Sequence, residues 1–251
     1  MSARRSAAPL IGMLTFLTIW ELVVRVFEIR PFVLQAPSDI LSYLGRAPGD
    51  FAGAAWITTR HAVSGLLIAL VLALLVGSLL AASPLLERAA QPVLSLVQVT
   101  PFAAYIPAVV LWLGAGDPPV RFIGALVCLP AFTFATVAGL RSADPASREL
   151  FASVAATRSQ VLWRLKLPSA VPALLTAARY NTGLALIVAY LVEGSNFADE
   201  GLGAIGRRAA ANNVGEALWA TIFCMALLGS AALLAIGALE RSLLHWHASQ
   251  R

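Results

Sequence analysis

The stretch His61–Ala82, HAVSGLLIALVLALLVGSLLAA, contains no Asp, Glu, Lys or Arg. A helix needs about 20 apolar residues to cross the bilayer, and only a structure that satisfies its own backbone hydrogen bonds survives there. Five more runs of comparable length flank it, at roughly 8–27, 93–113, 121–140, 169–192 and 217–239. The 251 residues are 59 % hydrophobic and 12 % charged, where a soluble domain carries about 25 % charged residues. The expectation is one all-α membrane domain, residues 1–251, of about six transmembrane helices. The run 93–113 contains Pro101 and Pro107 and should be kinked, while Pro130 and Pro172 fall within the fourth and fifth runs.

The start, MSARRSAAPLIGMLTFLTIWELVVRVF, is charged like a signal peptide. Its apolar stretch is too long for one, and Glu21 and Arg25 stand where cleavage would fall, so it reads as a retained first span. Those two residues are spaced to pair on one helix face, in a structural role or against a second subunit. The net charge is +5 and Lys166 is the only lysine. On a membrane protein such a surplus reflects topology rather than nucleic-acid binding. With both termini cytoplasmic, the inner segments hold the larger set of cations, among them Arg4, Arg5, Arg141, Arg148, Arg158 and Lys166. The smaller outer set includes Arg30, Arg46, Arg60, Arg121, Arg207 and Arg208.

Chemistry-bearing patterns are scarce. Cys128 and Cys224 lie inside apolar runs and read as buried thiols. His61 stands alone at the edge of its run, and His245 and His247, two apart, would not share a helix face, so no metal site is expected. No Ser/His/Asp set or carboxylate pair suggests a catalytic centre. A phosphate-binding loop needs a glycine-rich turn followed by Lys, and the single lysine follows LWRL instead. If ATP drives this chain, another chain hydrolyses it.

The longest charged interruption is Glu149–Pro168, ELFASVAATRSQVLWRLKLP. Leu150, Val154, Val161 and Leu165, with Phe151, Ala155 and Leu162, recur at helical spacing and form one apolar stripe among Arg148, Glu149, Arg158, Arg164 and Lys166. Pro168 can open the helix that follows. The pattern fits a helix in the headgroup layer or a helix that docks on a soluble partner, and periodicity does not choose.

The same residues resemble the cytoplasmic signature of bacterial ABC importer permeases: Glu-Ala-Ala, a Gly four residues on, then Ile-x-Leu-Pro. Glu149, Ala155, Leu165 and the Leu167-Pro168 pair occupy these positions at the family's spacing. Leu150 and Phe151 replace the two alanines, and Ala155 replaces the glycine. Glycine would ease a sharp turn, so with alanine the turn should be gentler or the two pieces should run on as one helix. WELVVRVF, QAPSDIL, TPFAAYIPAVVLWLGAGDPPVRF, VAGLRSADP, GLGAIG and LERSLLHWH, in this order, resemble the nitrate/sulfonate/taurine-type branch. AYLVEGSNFADEGLG departs from it in being longer, with Glu193 shifted from the usual acidic position.

The resemblance implies a type I ABC importer permease: two permease copies, most simply a homodimer, two cytoplasmic ATPase subunits and an extracytoplasmic solute-binding protein. ATP and Mg would sit on the ATPase, with no cofactor on this chain. Residues 141–168 would be the coupling loop, docking through Glu149, Val154, Ala155, Thr157, Arg158, Leu165, Leu167 and Pro168. The third and fifth spans would border the pathway, which makes Gln98, Thr100, Tyr105, Arg179, Asn181, Tyr190 and Glu193 lining candidates. Such polar groups either line a cavity or join helices.

Arg179, within its run, should face protein or water, since a central charge costs roughly 2.5–3.5 kcal/mol. It could attract an anion, but a structural arginine near the inner face, snorkelling or paired with a carbonyl, is the plainer reading. Glu193, Asp199 and Glu200 could meet a binding protein, although a solvated loop is the plainer reading here too. Solutes of this branch include small anions such as nitrate, alkanesulfonates and taurine, and vitamin precursors. The rival is a self-sufficient secondary transporter or channel, which would show repeated halves and several deep ionisable residues. This chain has Arg179 as its main deep charge and no convincing repeat.

Overall fold

The computed structural model describes residues 3–31 and 33–244; in the first helix, side chains are described at Ala8 and from Ile11 onward. All regular structure among these residues is helical. α1 spans Ala3–Val26, α2 Pro37–Arg46, α3 Pro48–Ala82, α4 Pro84–Val99, α5 Ile106–Leu113 and α6 Asp117–Arg141. After them come α7 (Pro145–Ser153), α8 (Arg158–Val161), α9 (Leu167–Glu193), α10 (Leu202–Ala211) and α11 (Gly215–Leu243). Proline sits in the first turn of α2, α3, α4, α5, α6, α7 and α9. There its fixed φ suits the helix and its missing N–H costs nothing.

Among the described residues, four helical stretches are long and apolar enough to cross a membrane: Pro48–Ala82, Asp117–Arg141, Arg158–Glu193 and Gly215–Leu243. α4 and the Phe102–Leu113 stretch make a fifth, bent by 93°. The expected kink is therefore a break. Thr100, ahead of Pro101, is extended (φ −73°, ψ 127°), as the proline ring demands of its predecessor. A short 3₁₀ turn, Phe102–Tyr105, then re-aims the chain into α5. α1 covers the run predicted over 8–27, at 24 residues.

α3 begins well before the predicted boundary at 61. Its 35 residues extend about 52 Å, far beyond the roughly 30 Å hydrocarbon core. The added turns carry Phe51 and Ala54, which pack with Ile40, Leu202 and Ala220. α6 is the central helix, held between α3 and α9. Gly65, Ala69, Ala73 and Gly77 repeat every four residues along α3, and Ala69 and Ala73 are fully buried. A Cβ on Gly65 would meet the Cα of Gly124 at 3.2 Å, and one on Gly77 would meet Thr136 Cβ at 2.6 Å. On the other side, a Cβ on Gly139 would meet Ala170 at 2.8 Å. In lipid, where apolar burial gives little drive, this close backbone approach holds helices together.

Candidate functional site

One end of the bundle carries the α7–α8 segment. Asp144 caps α7 by accepting from the Ser147 N–H (2.9 Å) and hydroxyl (3.0 Å). The Ser147 N–H bond holds its carboxyl below the usual carboxylate range. α7 ends in a Schellman turn: Ala156 N–H donates to Phe151 C=O and Ala155 N–H to Ala152 C=O, both at 3.0 Å. Ala155 takes the left-handed conformation this needs, φ +51°. The expectation of a gentler turn or one continuous helix is thus overturned. Alanine keeps the sharp turn and bears its strain. Thr157 then opens α8 with a reciprocal box, its backbone N–H donating to Gln160 Oε1 (2.8 Å) while its Oγ1 accepts from Gln160 N–H (3.3 Å).

The break splits the predicted apolar stripe. Leu150 and Val154 project from the protein, 62 % and 68 % exposed, with Glu149 exposed beside them. Leu165 is buried, so it anchors the segment and does not face a partner. Between α8 and α9 a single π-helical turn, Leu162–Lys166, ends with Leu167 N–H bonded to Leu162 C=O. Leu167 and Pro168 are the first residues of α9. Arg158 lines a cavity behind the segment. Arg148 reaches back to the Arg141 carbonyl, and Arg141 pairs with Glu87 at 2.6 Å.

The opposite end holds a polar cluster that joins four helices. Glu193, at the end of α9, is fully buried. Its Oε1 accepts from His61 Nδ1 (2.8 Å), and its Oε2 accepts from Thr58 Oγ1 (2.7 Å) and Gly203 N–H (3.2 Å). Thr58 Oγ1 accepts in turn from the Leu202 N–H (2.9 Å). His61 Nε2 lies 3.0 Å from Asp117 Oδ1, off the line of a formed hydrogen bond. Arg60 and Arg121 pair with the other Asp117 oxygen. The glycines of GLGAIG make this cluster possible. Gly201 has φ +94°, and a Cβ on Gly203 would collide with the Tyr190 carbonyl oxygen.

Several roles expected from the sequence change here. Glu193 belongs to no solvated loop, and His61 is not alone; only Asp199 and Glu200 are exposed. Asn181 is fully buried and its amide donates to Cys128 C=O (3.3 Å), so in this conformation it joins α6 to α9 and lines no pathway. Tyr190 likewise shares a hydrogen bond with Thr221 of α11 (3.1 Å). Arg179 is exposed and lies 3.8 Å from Glu240, a carboxylate partner and not a carbonyl. Gln98 is exposed, and Thr100 and Tyr105 are half-buried, on the bent α4–α5 arm.

Glu21 and Arg25 pair at 3.0 Å, and both reach α2. Glu21 accepts from the Ser38 N–H (3.0 Å) and Arg25 meets Asp39 (2.7 Å), which ties α1 to α2. His245, His247, Arg251 and the side chains of Arg4 and Arg5 lie outside the described residues. Nothing local in the sequence links Thr58, His61, Asp117 and Glu193, which are separated by up to 135 positions.

The structure is thus a bundle of helices long and apolar enough to span a membrane, with one broken span and a capped two-helix segment at one end. The chain belongs to the family described as binding-protein-dependent transport system inner membrane component, which it matches over residues 65–245. It is 32 % identical over 243 residues to the formylaminopyrimidine transport permease protein of Halalkalibacterium halodurans, covering 96 % of both chains. Against the taurine transport system permease protein of Escherichia coli it is 29 % identical over 241 residues, 92 % of this chain and 86 % of the other.

The fold matches the MetNI methionine ABC transporter in an inward-facing conformation, with a TM-score of 0.66 and 19 % identity over 77 % of this chain and 96 % of that one. The protein is therefore a transport subunit, the permease of a type I ABC importer. It is a multi-pass protein of the inner membrane that works with ATPase and binding-protein partners.

Proposed function

We propose that two copies of this chain form the pathway of an ATP-driven importer and that the α7–α8 segment docks each copy on one of two ATPase subunits. The single observation that carries this is the outward pair Leu150 and Val154, held clear of the bundle by the turn at Ala155. Such a pair suits a hydrophobic groove on a partner. ATP and Mg belong to that partner, and this chain binds neither. Both termini lie in the cytoplasm with the segment, consistent with the cations gathered there: Arg141, Arg148, Arg158, Arg164 and Lys166.

ATP binding draws the two segments together and rocks the spans between inward- and outward-facing states; hydrolysis resets them. Gln98, Thr100, Tyr105 and Arg179 border the pathway, a reading supported by their exposure or partial exposure in the single chain. A binding protein delivers the solute, a small sulfonate-, taurine- or nitrate-like anion or a vitamin precursor. The relatives named for taurine and formylaminopyrimidine support that class.

Val154→Asp tests the docking. It would bury an unpaired charge in the groove and leave the bundle untouched. The expected result is loss of ATPase subunit on co-purification and loss of ATP-dependent uptake, with an unchanged melting temperature. Uptake at the wild-type rate would end the docking assignment.

A further inference from the structure

Behind the α7–α8 segment, the ends of α3 and α6 and the π-helical turn enclose a cavity of about 460 Å³. Ala81, Ala82, Leu140 and Val161 are among its apolar lining residues, and Arg158 and Lys166 line it as well. A third cation, Arg141, is already paired with Glu87. Arg158 and Lys166 have no hydrogen-bond or ion-pair partner among the described residues, and no acidic side chain lines the cavity. Two free cations beside an apolar lining lack only an anion that brings apolar surface of its own.

The position agrees. α3 ends at Ala82, α6 ends at Arg141 and α9 begins at Leu167, so the cavity lies where spans leave the membrane. Trp163, in the π-helical turn between the two cations, is 68 % exposed. Tryptophan is enriched at this interfacial depth. Basic pockets between spans at such a boundary take lipid headgroups. Leu150 and Val154 do not line the cavity, so an occupant leaves that outward pair uncovered; Arg158 is the one expected docking residue that lines it.

We propose that this cavity binds an anionic phospholipid, with the headgroup phosphate between Arg158 and Lys166 and an acyl chain over Ala81, Ala82 and Leu140. Lipid binding here is separate from transport and stands whether or not α7–α8 docks an ATPase.

Native mass spectrometry of the purified full chain, delipidated and offered equal phosphatidylglycerol and phosphatidylethanolamine, provides the test. Wild type is expected to retain phosphatidylglycerol preferentially. Each cation near a charged headgroup is worth about fivefold, so Arg158→Gln with Lys166→Gln should lower that preference on the order of 25-fold. Arg46→Gln, at the other end of the bundle, should leave it unchanged. Ala82→Trp fills the cavity while keeping both cations, and should abolish retention. Equal retention of the two lipids by wild type, an unaltered preference in the double variant, or full retention by Ala82→Trp would each overturn the assignment. So would binding of inorganic phosphate without any lipid preference, which would make this a site for a free anion.

Discussion

Ala155 holds φ at +51°, and an L-residue in that region costs roughly 1–2 kcal/mol because its Cβ crowds the following carbonyl. The chain bears this cost because the Schellman turn and the Thr157–Gln160 box, one on each side, both require the reversal. Ala155→Gly removes the crowding but gives back about 0.5–1 kcal/mol in unfolded-chain freedom, so the segment should gain about 0.5 kcal/mol. Ala155→Val adds a branched side chain and should melt the turn. Hydrogen exchange at the Ala155 and Ala156 amides reads both, slower in the glycine variant and faster in the valine variant. Identical exchange in all three proteins would mean that the turn is held from outside. The turn was legible from its flanks: Thr157 and Gln160 are spaced as a helix start. The absent glycine concealed it, although the cap, and not residue 155, decides where the new helix begins.

At the scale of elements, the Glu193 cluster fixes the end of α9 to α3, α6 and α10. A buried carboxylate deprived of its partner is costly, typically about 3–5 kcal/mol, whereas replacing both partners by apolar groups can be nearly neutral. His61→Leu and Glu193→Leu alone should therefore each lower the unfolding free energy in detergent by about 3 kcal/mol. The double variant should lose clearly less than the sum. Additive losses would show that the two side chains act independently, contrary to their 2.8 Å contact. The spans of α3, α6, α9 and α11 were readable from apolar length, whereas the run at 93–113 is broken by 93° beside Pro101. The early start of α3 was not readable, because Asp50, Thr58, Thr59 and Arg60 ended the apolar window without ending the helix. Nor was the cluster readable, since its members meet only when four helices pack, and a histidine at a span edge gives no sign of a carboxylate 132 residues away.

Across the whole molecule, burial is graded. In α6, 61 % of the most apolar window is buried; in α11, none of it is. α3, α6 and α9 therefore form a slab, locked by the small-residue contacts of Gly65, Gly77 and Gly139, while α11 lies outside it. Such a slab can carry a displacement from the α7–α8 end to the Glu193 end without bending, as rigid-body rocking requires. That the chain is a helical membrane bundle was plain from composition; which helix is central was not, because hydropathy reports lipid-facing and buried residues alike. The small-xxx-small ridge of α3 was the available clue. If the slab bears the load, truncation inside it should cost far more than truncation outside. Phe132→Ala, at a fully buried position of α6, should cost about 3 kcal/mol. Leu234→Ala, at a position of α11 that is 74 % exposed, should stay within about 0.5 kcal/mol. Thermal unfolding of the two variants in one detergent decides between them. If both melt together, stability is spread evenly over the helices, and the α3–α6–α9 slab does not bear the load.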